Sequence, residues 1–311
     1  MRILVTDGMD KQAMAKLREL GHEVVEQFYE PDALGAALRE FDAVVVRSKT
    51  KIRANHIDEA KGGKLKLIIR GGVGVDNIDV KYAEENGITV KNTPKASSES
   101  VAELALGMML SLLRNVPQVE ERCRAGKTKD GLVGTELRGK TVGIVGAGAI
   151  GQNTGRLCKA FGCKVIAYNH RPKQAAEGTI DEFVDLDTLT RESDIISLNC
   201  PLNDSTRGMF DFGRIAMMKK TAILINVARG PVVDSRALAD ALNEGRIAGA
   251  GIDVFETEPP LDVNHPLLHT PNTIVTPHVA FASKESMALR AQIVFDSLDS
   301  FLAGKQVNVI L

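Results

Sequence analysis

The stretch Thr141-Val-Gly-Ile-Val145-Gly-Ala-Gly-Ala-Ile-Gly151 decides the fold of this chain. Its first five residues form an apolar run typical of a buried strand, and the glycine turn opens a helical stretch in which small and apolar residues recur. In such a turn, Gly146 allows the tight bend, Gly148 lets backbone N–H groups approach a pyrophosphate, and Gly151 lets the helix pack on the sheet. The positive helix N-terminus, with Ala149 and Ile150, would face the anion. The segment therefore predicts a dinucleotide site rather than a ligand-free glycine-rich turn.

Short apolar runs alternate with helical patterns on both sides of this turn. Such alternation predicts parallel sheets with helices on both faces, so the fold class is α/β with two doubly wound parallel-sheet domains. The six strands of the second series fit a nucleotide-binding domain. The first series is Arg2–Thr6, Glu23–Glu26, Ala43–Val46, Leu65–Arg70 and Ile88–Lys91, and the second is Thr141–Val145, Lys164–Tyr168, Asp194–Asn199, Ala222–Val227, Gly249–Val254 and Thr273–Thr276.

Two helices mark the limits of the domains. The alternation stops at Thr93-Pro94, and Ser100-Val-Ala-Glu103 then opens a strongly apolar helix with the spacing of a capping box. Apolar residues cover most of its circumference, which predicts an interface between domains or between the subunits of a homodimer. A second helix, about Lys284–Leu302, would return to the first domain. We expect a substrate domain at 1–96 plus 285–311 and a nucleotide-binding domain at 97–284.

Composition excludes several classes of function. The 39 Lys and Arg residues balance 40 Asp and Glu residues, giving a net charge of −1 that would attract neither nucleic acid nor an anionic membrane. The N-terminus lacks the long apolar core of a signal peptide, and the apolar run Leu104–Leu113 is too short to span a bilayer. The four cysteines show no metal-ligand spacing, so no metal is expected. These features predict a cytoplasmic protein that acts on a small molecule.

The residue expected to hold the adenosine ribose departs from the usual acid. The strand Lys164–Tyr168 is followed by Asn169, His170 and Arg171. An Asp would repel a 2′-phosphate, whereas Asn can still hydrogen-bond the ribose and a nearby Arg can pair with a phosphate. The alternative for Arg171 is a solvated surface charge. The sequence therefore predicts NAD as cofactor and leaves NADP open.

Three further strand ends carry distinctive segments: Asn226-Val-Ala-Arg229-Gly230, Asp253-Val-Phe-Glu-Thr-Glu258-Pro259 and Thr276-Pro277-His278. With the glycine turn, they resemble the D-isomer-specific 2-hydroxyacid dehydrogenase family. Val46-Arg47-Ser48, the segment from Arg70 to Asn77, and Gly134–Leu137 resemble its D-3-phosphoglycerate dehydrogenase branch. The resemblance implies a flavodoxin-like substrate domain, a Rossmann domain and hydride transfer between a nicotinamide cofactor and a D-2-hydroxy acid.

The chemistry of that reaction explains three of these residues. Arg229 suits the substrate carboxylate, because a guanidinium stays charged and makes two parallel hydrogen bonds to it. His278 can give a proton to the forming alkoxide and take it back in the reverse direction. Glu258 would hold the other ring nitrogen and stabilise the protonated ring. Singly, each is more often a solvated charge or a packed histidine, but three at the ends of parallel strands favour an active site.

The resemblance assigns further contacts to the cofactor and the substrate carboxylate. Asp253 would bind the nicotinamide carboxamide, although an Asp after a strand can simply cap a turn. Backbone N–H groups at Val73 and Gly74 would complete the carboxylate site. The remaining cofactor contacts would come from Cys200, Pro201, Val227, Ala228 and Ala280.

Two arginines bear on the substrate. Arg47 follows a strand of the first sheet, and Arg70 ends the next one. Because Arg229 and the backbone of Val73 and Gly74 already serve the substrate carboxylate, we expect these two arginines to bind a second anion at the far end of the acid. Lys51 would add positive charge. The alternative is that either arginine pairs with a carboxylate such as Asp76. The favoured substrate is D-3-phosphoglycerate or 3-phosphohydroxypyruvate, as in serine biosynthesis, in a short form without a regulatory domain. Two alternative activities remain open, hydroxypyruvate or glyoxylate reductase and D-lactate dehydrogenase. A non-catalytic NAD(H) sensor of corepressor type also remains open.

Overall fold

The computed structural model describes residues 1–128, 130–171, 174–257, 261–305, 307–308 and 310. The chain forms two compact units. The first comprises Met1–Ser97 and Ala282–Leu311, and the second comprises Ser98–Phe281.

The first unit contains a five-stranded parallel sheet. Apolar side chains alternate between its two faces: Ile3, Val5 and Val45 lie in one buried cluster, while Leu4 and Val44 lie in the other. Both faces are covered by helices, which is why strands such as Ala43–Val46 are buried at every position. The elements are β1 Arg2–Val5, α1 Lys11–Glu19, β2 Glu23–Glu26, α2 Pro31–Leu38, β3 Ala43–Val46, α3 Ala54–Ala60, β4 Leu67–Arg70, α4 Val80–Glu85 and β5 Thr89–Asn92, with sheet order β2-β1-β3-β4-β5.

The second unit contains a seven-stranded parallel sheet. Its elements are α5 Ser98–Leu113, α6 Val116–Arg124, β6 Thr141–Val145, α7 Ala149–Ala160, β7 Lys164–Tyr168, β8 Glu182–Phe183, α8 Leu186–Glu192, β9 Ile195–Leu198, α9 Phe212–Ala216, β10 Ile223–Asn226, α10 Ser235–Asn243, β11 Gly249–Ile252 and β12 Thr273–Val275, in the order β12-β11-β10-β9-β6-β7-β8. The chain then enters α11, Lys284–Leu302, whose Val294 and Leu298 join the core of the first unit.

The prediction of two doubly wound parallel sheets is confirmed, with two local corrections. The second sheet has a seventh strand, β8, which the sequence pattern does not reveal because it is two residues long and exposed. The helix α5 begins at Ser98, two residues before the predicted capping box, so Ser100 lies in its first turn and does not precede it. Glu99 also lies in this first turn, where a carboxylate interacts favourably with the helix dipole.

The apolar helix α5 packs on the sheet where β11 lacks side chains. A Cβ added at Gly251 would lie 3.0 Å from Met108 Sδ, and one at Gly249 would lie 3.4 Å from Leu112 Cδ2. The two glycines therefore let the helix approach the strand closely. Met108 and Met109 are buried, while Leu104 on another side of α5 is half-buried. Within the described ranges, no helix combines the length and apolar character needed to cross a membrane.

Candidate active site

The turn between β6 and α7 has the geometry that a pyrophosphate site requires. Gly146 has a φ of 94°, and a Cβ there would lie 2.8 Å from the backbone nitrogen of Cys200. A Cβ at Gly151 would collide with the carbonyl oxygen of Gly146. At Gly148, in contrast, no atom lies within 4 Å of the Cβ position. Glycine is thus demanded by packing at two positions, while the third leaves open space at the N-terminus of α7, where an anion is stabilised.

Asn169 links this turn to the loop after β7. Its Oδ1 accepts a hydrogen bond from the Ala147 backbone N–H at 3.1 Å, and its Nδ2 donates to the carbonyl oxygen of Arg171 at 2.7 Å. His170 and Arg171 are exposed. Asn169 therefore holds the shape of the turn through both ends of its amide.

Arg229 lies on a turn that is held from two sides. The buried Asn226 at the end of β10 accepts from the Ala228 N–H at 3.1 Å and donates to the Arg229 carbonyl oxygen at 3.1 Å. A Cβ at Gly230 would collide with the backbone of Phe255 and Glu256, which follows β11. Glycine at 230 therefore lets two neighbouring strand ends touch, and it places half-buried Arg229 beside the segment that follows β11.

His278 follows β12 in a loop that Asp253 clasps. Asp253 is fully buried, and its Oδ1 accepts from Thr276 Oγ1 at 2.6 Å and from the Val279 N–H at 2.8 Å, while its Oδ2 accepts from the Ala280 N–H at 3.0 Å. The backbone of His278 is left-handed, with a φ of 55°, and its N–H donates to the Asp253 carbonyl oxygen at 2.7 Å.

Burial raises the pKa of Asp253, although the hydrogen bonds from Thr276, Val279 and Ala280 act in the opposite direction. A non-glycine residue in the left-handed region is disfavoured by about 1–2 kcal/mol, so the surrounding contacts must hold it there. The carboxylate that the sequence assigns to the cofactor is thus, in the structure, the group that holds the histidine loop.

Glu256 and His265 form a side-chain pair beside these loops that no sequence motif predicts. His265 Nε2 lies 2.8 Å from Glu256 Oε2, and the imidazole contacts the ring of Phe255 edge to face at 5.0 Å. Although burial opposes the change, hydrogen bonds from Ser235 and His265 lower the pKa of Glu256. The pair lines a cavity of about 550 Å³. Its members are nine residues apart in the chain, so no local pattern predicts their contact.

The predicted residues gather at one edge of each sheet. Cys200, Arg229 and His278 follow β9, β10 and β12. The loops after β10, β11 and β12 also contain the other predicted contacts, Val227, Ala228, Asp253 and Ala280. Pro201 is exposed, whereas Cys200 is buried. Burial raises the pKa of the Cys200 thiol to about 11, so this cysteine is a neutral packing group. The predicted partner of His278, Glu258, lies outside the described residues.

In the first unit, the predicted substrate residues lie at or after the ends of the neighbouring strands β3 and β4. The side chain of Arg70 covers Gly72, where a Cβ would collide with its guanidinium. Val73 is exposed, and its carbonyl oxygen accepts from Asn92 Nδ2 at 2.8 Å. Arg47 is half-buried, and its backbone N–H donates to Asp7 Oδ2 at 2.7 Å. Gly74 is half-buried in the same loop as Val73, and Lys51 is exposed.

Comparison with known proteins shows which enzyme family the chain resembles. Residues 106–280 match the model of the D-isomer specific 2-hydroxyacid dehydrogenase family, NAD binding domain. The chain is 42% identical, over 98% of its length, to a D-3-phosphoglycerate dehydrogenase of Methanocaldococcus jannaschii, of which it spans 58%. It is 44% identical, over 92% of its length, to a hydroxypyruvate reductase of Thermotoga maritima, of which it spans 93%.

Among solved structures, an acyclic imino acid reductase in complex with NADPH and D-Arg superimposes with a TM-score of 0.92, 32% identity and full coverage of both chains. The prediction of a domain that binds NAD or NADP is confirmed.

Proposed function

We propose that this chain, which belongs to the D-isomer specific 2-hydroxyacid dehydrogenase family, interconverts a small D-2-hydroxy acid and its 2-keto acid with NAD(H) or NADP(H). The observation that carries the proposal is the arrangement of three strand ends in the second unit. Arg229 and His278 follow β10 and β12, the strands on either side of β11, in the sheet that also carries the glycine turn. Ligands bind at the carboxyl ends of strands in this architecture.

Each side chain has a distinct part in the reaction. The guanidinium of Arg229 binds the substrate carboxylate and orients the keto group, because it presents paired donors and keeps its charge. When bound, the nicotinamide exchanges a hydride with carbon 2 of the acid. The imidazole of His278 donates a proton to the keto oxygen during reduction and accepts it from the hydroxyl during oxidation. Glu258 would hold the second ring nitrogen, as the sequence predicts.

The cofactor would lie along the carboxyl edge of the second sheet. Its pyrophosphate would meet the backbone of Gly148, Ala149 and Ile150, and its ribose the loop of Asn169, His170 and Arg171. Cys200, Pro201, Val227, Ala228 and Ala280 would line its nicotinamide half. Asp253 would then serve twice, as a clasp for the histidine loop and as an acceptor for the carboxamide, since a carboxylate offers about four lone-pair sites and three are occupied.

We favour 3-phosphohydroxypyruvate and D-3-phosphoglycerate as the substrate pair. Arg47 and Arg70 supply cationic side chains at the carboxyl edge of the first sheet that hydride transfer does not need, with exposed Lys51 nearby in sequence. If they bind the phosphate, Arg47→Ala or Arg70→Ala should each cost roughly 1.5 to 3 kcal/mol in kcat/KM for phosphohydroxypyruvate, the scale of a hydrogen bond to a charged group. The loss for hydroxypyruvate should be far smaller. Equal losses of kcat/KM on both substrates would exclude a role of these arginines in binding the phosphate.

A second candidate is a hydroxypyruvate or glyoxylate reductase. It is favoured by the 44% identity of the chain to the hydroxypyruvate reductase of Thermotoga maritima, which is similar to its 42% identity to the phosphoglycerate dehydrogenase of Methanocaldococcus jannaschii. A kinetic panel decides between them: NADH and NADPH are each tried with phosphohydroxypyruvate, hydroxypyruvate, glyoxylate, pyruvate and oxaloacetate. A preference for the unphosphorylated acids would select the second candidate. NADH binding without turnover on any of them would indicate a sensor instead.

The helix α5 supports a homodimer. Leu104, Leu106, Leu110 and Leu112 pack against the buried cluster of the second unit yet stay only half-buried within one chain, which leaves part of their apolar surface for a second subunit. Analytical ultracentrifugation tests the assembly, and Leu106→Glu should shift the protein toward monomer by placing a charge in the interface. A wild-type protein that sediments as a monomer would contradict it.

A further inference from the structure

A small cavity opens in the first unit at the point where ligands bind in doubly wound sheets. Its volume is about 220 Å³, and it is lined by the Gly8–Asp10 loop after β1, Arg47 after β3, Gly71 after β4, and Arg290 on α11. In the sheet order β2-β1-β3-β4-β5, the direction of chain progression reverses between β1 and β3. Such a switch point leaves a crevice at the carboxyl ends of the strands. The cavity lies within one compact unit, so its walls belong to a single folded body.

Two arginines meet on the floor of this cavity. A Cβ at Gly71 would lie 3.7 Å from Arg47 Cγ and 3.8 Å from Arg290 Cδ. The aliphatic stems of both side chains therefore pack over the same glycine, which brings two half-buried guanidinium groups to one cavity. One comes from a strand end and the other from a helix that is far away in sequence, so only the tertiary fold pairs them.

The charges in the cavity favour an anion. Burial and the neighbouring charge of Arg47 lower the pKa of Arg290 to about 10, which still leaves Arg290 protonated at neutral pH. The carboxylates of the adjacent loop have structural partners: Asp7 accepts from the N–H and hydroxyl of Thr50, and Asp10 caps α1 by accepting from Ala13 N at 2.9 Å. An anion between the arginines would offset the repulsion that their proximity creates.

The donor chemistry of the two arginines suits an oxyanion. Arg290 Nη2 donates to Met287 Sδ at 2.8 Å, and Met287 lines the same cavity, so this contact orients the guanidinium beside it. A thioether is a weak acceptor, so an oxygen of a charged ligand would form the stronger bond. Guanidinium groups offer paired, planar donors that match the oxygens of a phosphate.

We propose that Arg47 and Arg290 form a binding site for a phosphate-class oxyanion at the switch point of the first sheet. The anion is either the far-end phosphate of the substrate or free inorganic phosphate. The first source rests on the proposed function, whereas the second does not.

The test is a melting experiment on the full chain with inorganic phosphate as the probe and chloride at matched ionic strength as the reference. Wild-type protein should melt higher in phosphate, because a ligand that binds the folded state stabilises it. Arg290→Gln should weaken the apparent phosphate affinity about 10- to 100-fold, the loss of a charge-assisted contact. Arg290→Lys keeps the charge but lacks the paired donors, so its phosphate affinity should lie between those of the wild type and Arg290→Gln.

The matched control is Lys284→Gln, which removes the same charge from the exposed first turn of α11. It should keep the phosphate response of the wild type. Equal responses in Arg290→Gln and wild type would overturn the proposal, as would equal stabilisation by chloride. Melting in chloride confirms that each variant is folded, and Arg47→Gln gives a second variant that tests the same cavity.

Kinetics then identify the source of the anion. If phosphate competes with phosphohydroxypyruvate, and Arg290→Gln lowers kcat/KM more for this substrate than for hydroxypyruvate, the substrate phosphate occupies the cavity. If phosphate shifts the melting temperature but does not compete with the substrate, the cavity binds free phosphate. Either outcome supports an anion site at Arg47 and Arg290. If no 2-keto acid is reduced, the proposed function fails while the melting experiment still reports on the cavity.

Discussion

Replacing Asp253 by asparagine tests how the chain positions its proposed acid and base. The carboxylate accepts three hydrogen bonds, from the Thr276 hydroxyl and from the backbone N–H groups of Val279 and Ala280. An amide has a single acceptor oxygen. In its better orientation, the introduced amide keeps the two bonds made at Oδ1 and turns its NH₂ group toward the Ala280 N–H, so that two donors face each other.

The cost follows from this count. A buried donor left without an acceptor costs about 1–3 kcal/mol, and the two remaining bonds weaken by roughly 1 kcal/mol each when the acceptor loses its charge. Removal of a buried charge offsets part of this cost, because burial raises the pKa of Asp253. We expect a net destabilisation of about 2 kcal/mol, measured by chemical denaturation.

The same change should lower turnover more than cofactor binding. His278 sits in a left-handed conformation that the clasp maintains, so a relaxed loop would move its imidazole away from the substrate. We expect kcat to fall about 10- to 100-fold, since small misplacements of a catalytic group have effects of this size. Fluorescence titration should show a smaller change in the Kd for NADH, because the carboxamide contact of Asp253 is one of several contacts proposed for the cofactor.

Thr276→Val provides the matched control. It removes the hydroxyl that donates to Asp253 Oδ1 and leaves both backbone N–H bonds in place, so its losses should be smaller. A variant Asp253→Asn with wild-type stability and kcat would refute the reasoning. A large rise in the Kd for NADH with unchanged kcat would assign Asp253 to the cofactor and not to the histidine loop.

Three further changes test the remaining roles. His278→Ala should lower keto-acid turnover about 100- to 10,000-fold while NADH binding, followed by fluorescence, stays nearly intact; near-normal turnover would remove His278 from the mechanism. Glu258→Gln should move the pH profile of reduction to lower pH, because the protonated imidazole loses a negative neighbour, and an unchanged profile would exclude the pair. Asn169→Asp should sharpen the preference for NADH over NADPH, because a carboxylate would repel the 2′-phosphate; native protein that already rejects NADPH by several orders of magnitude would place that choice elsewhere.

Local sequence determined the strands and the glycine turn. The strands Thr141–Val145 and Lys164–Tyr168 have the predicted bounds, because each is an apolar run that is buried on both faces of a parallel sheet. Gly146 and Gly151 were identified for local reasons that the structure also shows: Gly146 has a φ of 94°, and a Cβ at Gly151 would collide with the carbonyl oxygen of Gly146. These features depend on neighbours a few residues away, so the sequence contains the information directly.

Only the tertiary structure decided how the site is supported. The sequence singled out Asp253 and His278, but it did not predict that Asp253 holds the loop of His278. That contact joins neighbouring strand ends that are distant in the chain. No pattern singled out Arg290, since an arginine on a helix ordinarily extends into solvent. Its proximity to Arg47 depends on the path of α11 across the first sheet. Long-range packing brings together Asp253 with the His278 loop and Arg47 with Arg290, and residue spacing along the chain does not predict either contact.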